Sequence, residues 1–367
     1  MRVAFDAKRV FNNGTGLGNY ARVLLNALMR DYKDNEYLLF TPRLKDEFFH
    51  QLNGSFKTIL PETKYSRAFS SVWRSWGISR DLLRERVNIY HGLSNELPFN
   101  IHHTGIKTVV TIHDLIFFKH TEQYPWIDRQ VYKTKTKYAV KHADKIIAIS
   151  HETKHDIIAF YKVPAEKIEV IYPAVEPIFY SGIITPNPAP GKKYLLNVSS
   201  FYPRKNQRNL VLAYAAIANK IEEELWLVGG EGNMKAEIEA LIESKKLTRR
   251  IKVLTGVSNA ALPALYQNAS AFIYPSVFEG FGMPVQEALF CGTPVIASKG
   301  GAIEEAAGGG SVFIDPYSVE DIAGKILKVT SDAALRKGMI EAGRKHAETM
   351  NDKALAANTM RVYRGLM

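Results

Sequence analysis

The sequence predicts an α/β protein of two Rossmann-like, doubly wound domains facing each other across a cleft, and three observations carry that expectation. The chain has 367 residues, more than a single hydrophobic core usually serves. Short apolar runs alternate with helical patterns from end to end, the rhythm of parallel sheets joined by crossover helices. That rhythm breaks once, at Pro186-Asn187-Pro188-Ala189-Pro190-Gly191, where three prolines and a glycine read as an interdomain connection. The expected division is therefore 1–183 and 184–345, followed by a C-terminal helix over 346–367 that packs back on the first domain.

In chain order, strand-like runs fall at 2–6, 37–40, 87–91, 108–113, 145–150 and 168–172. A second series follows the connection at 194–198, 225–228, 251–254, 271–274, 295–297 and 312–314. The stretch 300–310 reads as a mobile glycine run, and the alternating charges from Asp332 onward read as a surface helix. An apolar content of 46% is ordinary for a packed globule, and no apolar run reaches the length that spans a bilayer. The opening MRVAFDAKRV runs straight into strand-like sequence without a secretory apolar region, so a cytoplasmic protein is expected. A single cysteine, Cys291, excludes an internal disulfide framework and reads as a packing residue.

The net charge of +11 comes from a cationic surplus of seven in residues 1–183 and four in the remainder. Such an excess favours polyanionic partners: nucleic acid, nucleotide phosphates or an acidic membrane surface. There is no zinc-finger spacing and no RNP-like aromatic motif, so nucleic acid is not the expected partner. Residues 64–86 and 124–145 interleave Lys and Arg with Phe69, Trp73, Trp76, Trp126, Tyr132 and Tyr138. That mixture suits peripheral contact with the inner face of a membrane, and it equally describes two solvated helix faces.

The chemistry concentrates in 271–298, AFIYPSVFEGFGMPVQEALFCGTPVIAS. An apolar strand ends at Pro275, a helix begins near Pro284, and Gly292 with Pro294 stops it before a second strand. Between strand and helix lies Glu279-Gly280-Phe281-Gly282. Its glycines let the backbone approach a ligand, and the helix start behind them is an anion site suited to phosphate. Glu279 and Glu287 flank that site, one acid for the hydroxyls of a sugar and one for a ribose.

Glu279, seven intervening residues and Glu287, together with Glu-Gly-Phe-Gly and the following Cys-Gly-Thr-Pro-Val-Ile-Ala-Ser, resemble the donor-site signature of retaining family 4 glycosyltransferases of the GT-B fold. The resemblance implies an acceptor-binding first domain and a nucleotide-sugar-binding second domain. It implies hexose transfer from a GDP- or UDP-sugar to a saccharide or lipid-linked saccharide, in polysaccharide or glycoconjugate biosynthesis. The first domain most resembles mannosyltransferases. Gly280, Phe281, Gly282 and Glu287 would bind the donor, with Glu279 orienting the sugar. In Ser199-Ser200-Phe201-Tyr202-Pro203-Arg204-Lys205-Asn206, Arg204 and Lys205 would neutralise the leaving diphosphate. Family members often carry the Arg a few residues earlier, where this chain has Ser. Gly230, in the turn 229–232, would lie near the nucleotide. Gly16 and Gly18, in the loop after the first strand, would close over donor phosphate and acceptor. His113, ending the run 108–113, would hold a sugar or acceptor oxygen.

Other chemistries are weighed on the same residues. His151-Glu152-Thr153-Lys154-His155 spells the H-E-x-x-H of zinc hydrolases, but Ser150 reads as an N-cap that puts it on an exposed first turn. Gly14-x-Gly16 is followed by Asn19 where a dinucleotide fingerprint needs its third glycine, so an NAD enzyme is poorly supported. A phosphorylase or nucleotide-sugar epimerase of the same fold is the nearest competitor. No Asp-x-Asp pair occurs in the chain to hold a metal on the diphosphate, so a metal-independent reaction without cofactor is expected.

Overall fold

A computed structural model describes residues 1–183, 186–230 and 232–367, and it divides into two compact units. The first is Met1–Glu176 with Asn351–Met367, and the second is Pro177–Met350. The first unit holds seven strands: β1 (Arg2–Asp6), β2 (Glu36–Phe40), β3 (Lys57–Ile59), β4 (Ile89–Gly92), β5 (Lys107–Ile112), β6 (Lys145–Ala148) and β7 (Ile168–Val170). They form one parallel sheet in the order β3-β2-β1-β4-β5-β6-β7. The second unit holds β8 (Tyr194–Val198), β9 (Glu224–Val228), β10 (Ile251–Leu254), β11 (Ala271–Tyr274), β12 (Val295–Ser298) and β13 (Val312–Ile314). These are also all parallel, in the order β10-β9-β8-β11-β12-β13.

Each sheet is wound outward from its first strand in one direction and then resumes on that strand's other side. The direction changes between β1 and β4 in one unit and between β8 and β11 in the other. Connections diverge there and leave a crevice at the strands' carboxyl ends, where open parallel sheets bind ligands. Helices cover both faces of such a sheet, which is why its central strands are continuous apolar runs. All four residues of β11 are at most 1% exposed.

All twelve expected runs are strands, five with the expected bounds and seven with adjusted ends, and the addition is β3. Lys57-Thr58-Ile59 is three residues long at the sheet's edge, too short to show a pattern. The stretch read as a mobile glycine run instead contains the helix Gly301–Ala307. Within the first unit, the terminal helix Asp352–Arg364 packs on the helix Gly16–Asp31 and buries Leu355, Ala356, Met360 and Tyr363 in that unit's core. Asp352 pairs with Arg30 at 2.5 Å, and Tyr363 Oη lies 2.6 Å from His91 Nδ1. Residues 177–183 cluster with the second unit; Ile184 and Thr185 lie outside the described residues.

Candidate active site

At the second unit's direction change, polar side chains tie the ends of β8 and β11 together. Asn197 Nδ2 donates to the Ile273 carbonyl at 2.8 Å, and Ser199 Oγ donates to Asn197 Oδ1 at 3.0 Å. The chain then turns through Pro203–Lys205 into Asn206, whose φ of 57° lies in the left-handed region that Asn tolerates better than most residues. Asn206 Nδ2 donates to the carbonyls of Pro275 and Pro316, at 3.1 and 2.6 Å. The loop bearing Arg204 and Lys205 is therefore fixed to the loop that follows β11.

That fixing brings three of the expected residues into one cluster. Lys205 Nζ donates to Glu279 Oε1 in a very short contact and to Tyr274 Oη at 2.9 Å. Arg204 Nη1 reaches both oxygens of Glu279 at 3.0 Å. Tyr274 Oη donates to Glu279 Oε1 at 3.0 Å, and Ser276 Oγ lies 2.6 Å from the same oxygen. Burial alone would raise the Glu279 carboxyl, but Lys205, Arg204 and the Ser276 hydrogen bond outweigh it and hold the group below its ordinary value. Burial pushes the Lys205 ammonium down despite the attraction of Glu279, and it pushes the Tyr274 phenol well up, keeping that hydroxyl a donor. With Lys205 9% exposed, the ionised pair sits where water screens it little. Tyr274 and Ser276 were missed in the sequence; a tyrosine ending an otherwise apolar strand was the available signal.

Gly280-Phe281-Gly282 leads from this cluster into the helix Met283–Phe290. Gly282 has φ +117°, a conformation that side-chain-bearing residues rarely adopt, so glycine is required for the chain to turn into the helix. Phe281 is buried at 2% exposure and anchors the turn. Glu287 Oε2 accepts from Tyr266 Oη at 2.8 Å in a largely buried setting. Burial, with Glu287 nearby, raises the Cys291 thiol to about 12, which makes it inert as a nucleophile at neutral pH. In the turn after β9, a Cβ on Gly229 or Gly232 would collide with the carbonyls of Ser199 or Phe201, whereas Gly230 borders open space. Glu231 lies outside the described residues.

The remaining expected residues belong to the first unit. Gly16 opens the helix Gly16–Asp31, so the anticipated glycine loop is shorter than the sequence suggested. Gly18 lies inside that helix, and a Cβ there would stand 1.9 Å from the Asn13 carbonyl oxygen: close packing accounts for this glycine. His113 follows β5, is 6% exposed and packs edge-on against Tyr20 at 4.8 Å. Its Nε2 lies 2.8 Å from the Leu93 carbonyl, which can only accept, so Nε2 carries the proton and Nδ1 keeps a lone pair for a hydroxyl. Burial pushes this imidazole down to about 4, so it is neutral at pH 7. Ser150 caps the helix His151–Tyr161, accepting from the Thr153 N–H at 3.0 Å, and Glu152 is ion-paired with Lys119. His151 and His155 are exposed, and among the described residues no group of three His, Cys, Asp or Glu gathers to hold a metal.

Comparison with known proteins agrees with this architecture. Residues 184–346 match the family Glycosyl transferases group 1, and residues 14–178 match Glycosyltransferase Family 4. The chain is 28% identical over 286 residues to the O-antigen chain mannosyltransferase B of Escherichia coli, covering 75% of this chain and 74% of that protein. It is 27% identical over 318 residues to the O-antigen chain mannosyltransferase RfbU of Salmonella typhimurium, covering 85% and 86%. The solved structure of Anabaena HepE in complex with UDP and glucose superposes with a TM-score of 0.74 at 17% identity, over the whole of both chains. With both units matched to glycosyltransferase families, the chain belongs to the GT-B glycosyltransferases of the family 4 type.

Proposed function

We propose that the enzyme moves mannose from a nucleoside-diphosphate sugar to a saccharide acceptor with retention of configuration and without a metal ion. The observation that carries the reading is the largely buried Arg204–Lys205–Glu279 cluster at the second unit's direction change. A departing diphosphate needs fixed positive charge beside it, and a low-dielectric site makes two protein cations effective in that role. Glu279 holds both cations in place and offers a carboxylate for the hydroxyls of the transferred sugar. The positive end of the helix Met283–Phe290 adds to the field. Mannose is supported by the activities in the names of the two bacterial relatives, and a nucleotide-sugar donor by the UDP and glucose bound to HepE. A panel of GDP-, UDP- and ADP-sugars followed by thermal unfolding tests the donor. GDP-mannose is expected to raise Tm by several degrees at saturation, and no response to any nucleotide sugar would refute the reading.

The acceptor is proposed to be lipid-linked, reached from the inner face of the cell membrane. Among the described residues no helix is long and apolar enough to cross a membrane. On residues 64–78, however, Tyr65, Phe69, Val72 and Trp76 stand 81%, 61%, 57% and 53% exposed, while Trp73 and Ile78 are buried. Exposed Lys64, Arg67 and Arg80 flank that stripe. Aromatic residues flanked by cations suit the headgroup layer of an anionic bilayer. Sedimentation with vesicles containing anionic phosphatidylglycerol should carry the protein down, and F69S together with W76S should cut the bound fraction at least severalfold. Equal binding by the variant would remove this surface from consideration.

A further inference from the structure

β11 ends on a tyrosine where its pattern calls for an apolar residue. Ala271, Phe272 and Ile273 are fully buried, as a central strand covered on both faces requires, and Tyr274 is buried with them. Its ring belongs to that core: it stacks on Phe272, two residues back on the same face of the strand, with centroids 5.8 Å apart. The hydroxyl does not, because a buried hydroxyl must find a partner or cost stability. Tyr194 and Tyr214, buried in the same unit, give theirs to backbone carbonyls, of Leu265 at 2.8 Å and Glu223 at 2.7 Å. Tyr274 turns its hydroxyl to two charged side chains of the site instead.

Chemistry fixes the direction of those bonds. An ammonium only donates and a carboxylate only accepts, so Tyr274 Oη accepts from Lys205 Nζ at 2.9 Å and donates to Glu279 Oε1 at 3.0 Å. Oε1 also meets Lys205 Nζ, Arg204 Nη1 at 3.0 Å and Ser276 Oγ at 2.6 Å. Among the described residues, Oε2 meets Arg204 Nη1 alone, at 3.0 Å. A carboxylate oxygen has room for about two such bonds, so Oε1 is filled and Oε2 keeps a lone pair. Of the three N–H groups on the Lys205 ammonium, Tyr274 and Glu279 engage two. The pair is left with one acceptor and one donor, and the phenol is what divides them.

We propose that Tyr274 is a positioning residue of the transfer reaction: its hydroxyl holds the Lys205 ammonium against Glu279 Oε1, which keeps the third N–H for the departing diphosphate and Oε2 for a hydroxyl of the transferred sugar. This rests on the donor reading above. Without the phenol oxygen, the ammonium has a second N–H to place and Oε1 loses a donor. The pair then has more than one arrangement, and only part of the population fits the departing group. Phenylalanine at this position keeps the ring and its packing on Phe272 and removes the oxygen alone.

Thermal unfolding of the unsubstituted enzyme with GDP-mannose and the other nucleotide sugars tests the donor reading first; without a rise in Tm from any of them, that reading falls and the proposal with it. Given donor binding, Y274F is expected to keep its fold and the donor-induced rise in Tm. It should leave the donor KM within about twofold and lower kcat about tenfold, the effect of losing one hydrogen bond to a charged group. A tyrosine that serves packing alone would lower Tm and leave kcat unchanged. The second readout is a double-mutant cycle with K205M. In that background the hydroxyl has no ammonium to place, so Y274F should change kcat by less than about twofold. Unchanged kcat in Y274F, loss of its fold, or the same factor with and without Lys205 overturns the proposal and leaves the donor reading in place.

Discussion

Replacing Lys205 by methionine is expected to lower kcat/KM by about 10²–10³-fold, the usual cost of removing one fixed charge from a site where negative charge develops. The fold should survive, since Glu279 keeps Arg204, Tyr274 and Ser276 as donors. Glu279→Gln is a different case. It leaves the Lys205 ammonium buried without a counter-charge, and breaking a buried pair from one side costs about 3–5 kcal/mol. K205M combined with E279Q removes both charges, so most of that stability should return. Activity should not return, because neither the cation on the diphosphate nor the acid on the sugar is restored. Urea unfolding and steady-state kinetics on the three variants give the two readouts. Recovery of activity along with stability would make the cluster a structural ion pair only.

Acidification is expected to destabilise the first unit between pH 6.5 and about 4. His91 is pushed down to about 3, first by burial and then by His113, and His113 to about 4. Both are neutral in the folded chain, while in the unfolded chain each binds a proton below about 6.5. The unfolded state therefore holds more protons in this window, and stability present at neutral pH is lost as the pH falls. From pH 7 to pH 5 the loss is roughly 2 kcal/mol for each histidine. The imidazoles are built in: His91 bridges Tyr363 Oη at 2.6 Å and Thr111 Oγ1 at 2.8 Å. Urea midpoints at the two pH values measure the loss, and proton NMR should show two imidazole resonances that do not titrate above pH 5. Two imidazoles titrating near 6.5 would contradict the burial that the structure gives them.

The second unit is the more legible from sequence, for a physical reason. Its strands are short apolar runs ending in special residues: Val198 leads to Arg204-Lys205, and Tyr274 leads to Glu279-Gly-Phe-Gly. Such punctuation marks both the strand end and the chemistry. The bond from Glu279 to Lys205 joins residues 74 positions apart, and only the order β8-β11 brings them together. A sequence shows each charge but not which one neutralises it. For the same reason Glu287 stands out in the sequence as a candidate acid, while its bond to Tyr266, from the preceding helix, does not. In the first unit the loop-like motif at Gly18 turns out to lie in a helix packed against the Asn13 carbonyl. β3 escapes because three residues at a sheet edge carry no period.

The central claim is that protein cations, Arg204 and Lys205, take the place of a metal on the donor diphosphate. The direct measurement is the rate of mannosyl transfer from GDP-mannose in excess EDTA, set against the rate with added Mg²⁺ or Mn²⁺. The account predicts equal rates and an α-linked product retaining the donor's anomeric configuration. Loss of transfer in EDTA, restored by either metal, would contradict it.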